Sequence, residues 1–327
     1  MSDDLKLDIY FPQFASFLLE GKDAPAFAKL CALAEWQVNV GYPVEASLCK
    51  QFDIKKQSDW PLAPLALMGE GVEQEVGYWF LVHPVHFVLQ RDFFTMGDAL
   101  RLAKGEMETL ALHLNQHFTQ DKLRFVPSKS GEFLYMHVSD DVDVTTYLLS
   151  EVMGRDIGKY MPSGPHGMRL QSFLNEVQMF LHDHPINVAR EQQGLLPVNS
   201  LWLSGGGSFQ AMSLPAQKTD FQFFANDAVS RGLAEWAGIA CEPLASDYLS
   251  FGSNNGDAVL VMDKPKALEN LWFKPLLKAL GSGKIKTLRC HFDVHGMTFT
   301  LFAKSRDTWK FWRKPKSLNT YFNLANA

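Results

Sequence analysis

The feature that most constrains this chain is the uncharged stretch Leu195–Gln217, in which an apolar run, Val198–Leu203, leads directly into Gly205-Gly206-Gly207. A short apolar run bounded by glycine reads as a buried strand feeding a Gly-rich turn. Such a turn lets backbone N–H groups approach an anion, and it also serves as a plain tight turn. Upstream, a helix is expected to end near Asp183, and the chain turns at Pro185. Asn187 and Arg190 stand three residues apart, so on a helical turn they share a face and could grip one anion. Gly194 is placed to end that turn. The stretch holds four Ser, two Pro and an Asn, and so does not read as a membrane span, which needs about 20 mostly apolar residues.

Composition narrows the class. The 327 residues are 46% hydrophobic and 13% aromatic, which excludes a disordered tail or a collagen-like repeat. Length suggests about two domains. The net charge of -5 argues against a protein that coats nucleic acid with its whole surface. Charge is uneven, however. Lys264–Lys316 holds 13 Lys/Arg against 3 Asp/Glu, a local +10 that leaves -15 for the remainder. Cys31, Cys49, Cys241 and Cys290 form no C-x-x-C pair and read as isolated reduced thiols. No basic segment followed by an apolar one opens the chain, so the expected location is the cytoplasm.

Strand signals fall at Leu5–Phe11, Tyr78–Val82, His86–Leu89, Leu123–Val126, Phe133–Val138 and Ala258–Met262, and Thr287–Val294 with Met297–Ala303 reads as a hairpin. Helical spacing marks the segment after Asp23, Lys104–Phe118, Leu170–Leu181, Asp220–Trp236 and Pro265–Leu280. Strands alternating with helices favour an α/β or α+β fold.

The segment from His184 to Gly207 resembles the archaeal-type cofactor-independent phosphoglycerate mutases of the alkaline phosphatase superfamily. His184-Pro185, Asn187, Arg190, Gly194, Asn199, Trp202, Gly205 and Gly207 match that family's pattern, and Ser204 stands where it has a second Trp. The chain is more similar still to a bacterial branch, the RpfE-type regulatory proteins. Gln90-Arg91-Asp92, Gly154-Arg155-Asp156, Met161–Gly164 and Asn226–Gly232 extend the likeness over about residues 78–263. The resemblance implies an α/β fold with an alkaline-phosphatase-like central sheet flanked by helices (1–77 and 186–327). An inserted smaller α+β domain, substrate-binding-like, would occupy 78–185. It also implies an anion or substrate site at Asn187, Arg190, Asn199, Trp202, Gly205 and Gly207.

The superfamily's two-metal chemistry needs a Ser or Thr nucleophile and several carboxylate and imidazole ligands. Ser58, before Asp59 and an apolar run, falls loosely where the nucleophile would stand, and reads equally as a cap. Asp263 is the counterpart of one ligand. His291, Asp293 and His295 alternate along a strand and so share a face, as metal ligands or as an exposed polar edge. His83 and His86 read as core or edge histidines. No complete ligand set is found, so no cofactor is expected, and a divalent metal only if the chain is an active enzyme.

The leading expectation is a catalytically degenerate phosphoglycerate-mutase-like protein with a regulatory or ligand-sensing role, binding a phosphorylated small molecule and an unidentified protein partner. An active metal-dependent phosphomutase or phosphatase using Ser58 is the alternative. A third reading is a nucleic-acid or partner-binding regulator that works through the basic C-terminal stretch. There, cations alternate with Trp309, Phe311 and Trp312. The favoured reading packs Trp309 and Trp312 inward with Lys and Arg reaching outward, so nucleic acid is not an expected partner, and with no apolar span in the sequence neither is a membrane.

Overall fold

The computed structural model describes residues 5–12, 14–19, 24–73, 75–97, 99–140, 142–212, 220–251, 256–263, 267–294 and 297–322. They form two compact units. The first joins 1–53 with 215–327, and the second is 54–214.

In chain order the first unit opens with β1 (Leu5–Phe11), α1 (Phe14–Leu19), α2 (Pro25–Leu33), β2 (Glu35–Val40) and α3 (Val44–Gln51). The second unit holds α4 (Leu62–Gly69), β3 (Tyr78–Val85), β4 (Phe87–Leu89), β5 (Phe94–Met96), α5 (Lys104–His117), β6 (Leu123–Pro127), β7 (Leu134–Val138) and α6 (Leu149–Val152). It continues through α7 (Gly167–His182) and α8 (Pro185–Gln192) to β8 (Ser200–Gly207). The first unit resumes with β9 (Gln222–Phe224), α9 (Ala228–Ala237), β10 (Cys241–Glu242), α10 (Tyr248–Phe251) and β11 (Ala258–Val261). It closes with α11 (Lys274–Gly281), β12 (Ile285–Val294), β13 (Met297–Lys304) and α12 (Leu318–Phe322).

The first unit is built on a seven-stranded sheet of order β10-β9-β11-β1-β12-β13-β2. Pairing is parallel from β10 to β12 and antiparallel at β13 and β2. All four residues of β11 are buried, as expected of a parallel strand covered on both faces. One face carries a phenylalanine cluster, with Phe11, Phe14, Phe27, Phe273, Phe292 and Phe322 in mutual ring contact. The opposite face is polar at its centre, where Asp8 pairs with Arg289 in register and Tyr10 with His291.

The second unit has a four-stranded antiparallel sheet of order β6-β7-β3-β8. Residues of β3 alternate. Tyr78, Phe80 and Val82 pack under α5 and α7, whose buried residues recur every three or four positions. The other face is covered by α4, in which Leu62 through Met68 are all buried; such an all-apolar helix belongs inside.

Several expectations change here. Gly205–Gly207 continue β8 as a strand and do not form a turn. The expected helix over 220–236 is β9 followed by α9, because Phe223 alternates into the sheet between β10 and β11. The strand near Tyr78 runs on through Pro84 to Val85, and Pro84, which has no N–H to give, sits opposite Leu201. Unit boundaries fall after Asp53 and Leu214 instead of near 77 and 185. The reason is that β8 pairs with β3 and α4 covers both, which draws 54–77 and 186–214 into the middle unit. Part of the expected helix over 265–280 lies outside the described residues; the remainder is a π-helical turn at Glu269–Phe273 followed by α11.

Candidate functional site

The mutase-like segment folds as a set of internal fasteners. His184 caps α8 with its ring, Nδ1 accepting the Ile186 N–H at 3.3 Å, so the proton sits on Nε2 and is directed at His113 Nδ1, 2.9 Å away. Burial, and then His113, lower the His184 pKa. Asn187 is buried and donates Nδ2 to the Leu181 and Val198 carbonyls, each at 2.7 Å, while Oδ1 accepts the Val198 N–H at 2.8 Å. The Arg190 side chain, 4% exposed, forks onto both Glu106 oxygens at 3.0 and 3.2 Å and gives Nε to the Leu196 carbonyl at 2.8 Å. Gly194, at φ +71°, ends the helix in a Schellman arrangement, with Leu195 N on the Arg190 carbonyl and Gly194 N on that of Glu191.

The remaining matched residues are spent in the same way. Asn199 clamps β4, accepting from Phe87 N at 2.7 Å and donating to Phe87 O at 2.9 Å. Trp202 gives its indole N–H to the Tyr147 carbonyl at 2.7 Å. The glycines are sites of close approach. A Cβ on Gly206 would lie 2.7–2.8 Å from ring atoms of Tyr78 and Phe80, and one on Gly207 would lie 2.6 Å from Pro61 Cβ. Gly205 adopts φ +61° beside Leu62, where the β3–β8 register shifts. Asn187 and Arg190, expected to grip one anion, turn the Asn187 amide and the Arg190 Nε and Nη1 onto protein partners.

What the segment does hold in place is the Ser58 loop. Gln57 brackets Ser208, accepting its N–H at 3.0 Å and donating to its carbonyl at 2.9 Å. Asp59, 3% exposed, accepts from the Trp60 N–H, the Thr146 hydroxyl and the Gly206 N–H. Burial raises its pKa, and those hydrogen bonds oppose the rise. Nearby Glu151 accepts the Leu148 N–H at 2.8 Å and is pushed up to about 7, chiefly by burial. Ser58, half-buried, donates its hydroxyl to Asp143 Oδ1 at 2.7 Å. The Asp143 backbone N–H in turn donates to His166 Nδ1 at 2.9 Å.

His166 also lines a crevice of about 310 Å³ floored by Phe118, Val138, Leu170 and Phe173, with Arg169 at its rim. Asp143 and Thr146 carried no sequence signal, because 85–87 residues separate them from Ser58 and Asp59.

The metal-ligand candidates lie in the first unit. His291 stacks on Tyr10, with centroids 4.3 Å apart, and its Nδ1 lies 3.1 Å from Thr300 Oγ1. Burial, and then Arg289, lower its pKa to about 3, so it is neutral. Asp293 is buried on the same face, opposite Thr298. This corrects the exposed polar edge at its two described positions, since His291 and Asp293 are both buried. Asp263 follows β11, and His295 lies outside the described residues. Among the described residues no three His, Cys, Asp or Glu side chains converge to hold an ion, so the donors present do not fit the two-metal centre.

These two units define a mixed α/β protein with a central sheet flanked by helices. The chain is 26% identical over 182 residues, 54% of its length, to a probable 2,3-bisphosphoglycerate-independent phosphoglycerate mutase of Geobacter sulfurreducens, of which it covers 46%. It is 26% identical over 147 residues, 43% of its length, to a protein of that name from Methanosarcina barkeri, of which it covers 36%. The chain thus spans less than half the length of these curated relatives. Mutase-like similarity is present at low identity. No family model matches. Among solved structures, the cofactor-independent phosphoglycerate mutase of Thermoplasma acidophilum is 16% identical, with 97% of this chain and 94% of that one covered. The TM-score is 0.42, a loose likeness.

Proposed function

We propose that the chain is a catalytically degenerate phosphoglycerate-mutase-like protein of the RpfE-type regulatory kind. In this reading it recognises a phosphorylated small molecule in the cytoplasm without turning it over, and passes that state to a protein partner. The observation that carries the reading is that Asn187, Arg190, Asn199 and Trp202 of the mutase-like segment direct their side-chain hydrogen bonds to groups of the protein itself. Recognition is assigned to the crevice, where Arg169, ion-paired with Asp140 at 3.6 Å, and His166 stand above an apolar floor that Asp121 and Glu176 also border, so a phosphate would have to displace Asp140 from Arg169. The relatives named as mutases support a phosphoglycerate as the first ligand to test.

One contact favours a second reading. A carboxylate on a serine hydroxyl can take up its proton, as an activated nucleophile requires. Phosphorus NMR of 3-phosphoglycerate with manganese separates the two. The expected result is no conversion to 2-phosphoglycerate by the wild-type protein. Conversion that disappears in Ser58→Ala would contradict the non-catalytic reading.

A further inference from the structure

We propose that the segment around Trp309–Lys316 is a docking surface for an anionic lipid bilayer. Trp309 is 80% exposed, Phe311 82% and Trp312 65%, the reverse of the inward packing expected from the sequence. Three large aromatic side chains within four residues and open to water form the kind of patch that marks an interaction site.

The exposure is fixed by the fold. The Arg313 guanidinium donates to the carbonyls of Leu33 and Ala34 at 3.2 and 3.4 Å, and Lys29 Nζ donates to the Arg313 carbonyl at 3.2 Å. Phe311 N closes a turn onto the Trp309 carbonyl at 2.8 Å, and Arg313 N closes one onto Lys310 O at 3.0 Å. The chain is thus pinned from behind while the rings face outward.

Charge selects the occupant. From Lys304 to Lys316 there are six Lys/Arg and one acid, Asp307, which is buried and held by Lys310 at 2.6 Å. Arg306, Lys314 and Lys316, which flank the rings in sequence, are exposed. Cations beside Trp and Phe match the interface of an anionic leaflet, where indole rings settle among headgroups and Lys/Arg meet the surface potential. Ring geometry disfavours single-stranded nucleic acid. Phe311 and Trp312 meet edge to face, with centroids 5.3 Å and planes 81° apart. They make one compact apolar knob and not two parallel platforms for successive bases.

The test is cosedimentation of the full chain with vesicles of phosphatidylcholine containing about 30% phosphatidylglycerol, with pure phosphatidylcholine and oligothymidylate run beside them. The expected result is binding to the anionic vesicles that weakens at high salt. It should weaken about tenfold or more both in Trp309→Ser/Phe311→Ser/Trp312→Ser and in Arg306→Gln/Lys314→Gln/Lys316→Gln. All six side chains are exposed, and unchanged circular dichroism would show that the variants fold. Absence of vesicle binding, or binding that neither variant weakens, overturns the proposal. So does tight binding to oligothymidylate that is lost in the same variants while vesicles are ignored.

Discussion

Glu151 is a carboxylate whose surroundings oppose its charge. Its pKa rises from an ordinary 4.5 to about 7, with burial as the main cause and Asp59 adding to it. A raised carboxyl binds its proton more tightly in the folded state, so the stabilisation is complete below pH 4.5 and is lost as pH climbs through 7. Glu151→Gln keeps an acceptor for the Leu148 N–H and removes the titration. Urea unfolding at pH 5 and pH 8 should show the wild type losing about 1–3 kcal/mol more than the variant on that rise. Equal losses in both would contradict burial as the cause. At this scale the sequence was informative about which residues matter and silent about how. Asn187 and Arg190 do share a helical face, as their spacing implies. What that face meets is Glu106 and the Val198 backbone, partners supplied by the fold.

At the scale of elements, legibility followed periodicity. Leu170–Leu181 and the β12–β13 hairpin repeat clearly in the sequence and lie where their patterns put them. Three glycines in a row have no period, because they have no side chains to alternate, and so the end of β8 read as a turn. In the structure each glycine is a point where another element comes too close for a Cβ. Gly206→Ala should therefore cost about 1–3 kcal/mol by urea unfolding, through overpacking against Tyr78 and Phe80. A neutral substitution would show that those rings can move aside. The segment 220–236 was misread for a related reason: Phe221, Phe223 and Phe224 satisfy helical and alternating patterns at once, and pairing with β10 and β11 decides between them.

Over the whole molecule, the alternation of strands and helices was enough to anticipate a mixed α/β protein, and residues 54–214 form one of its two compact units. Its limits were not legible, because they depend on β8 returning to β3 across more than a hundred residues. The electrostatic split of the chain was visible in composition, but the outward aromatics at Trp309–Trp312 were not. Under the proposed function, the mutase-like residues of the second unit serve packing and ligand recognition lies at the crevice beside Arg169. The most direct measurement is the shift in melting temperature caused by 3-phosphoglycerate in Arg190→Met and Arg169→Gln. Arg190→Met should lose about 1–3 kcal/mol of stability by leaving the Leu196 carbonyl without its donor, while Glu106 keeps the Ala103 N–H, yet keep the wild-type shift. Arg169→Gln, a half-exposed rim residue, should keep its stability and lose the shift. The opposite pattern, with the shift lost in Arg190→Met and retained in Arg169→Gln, would contradict the account.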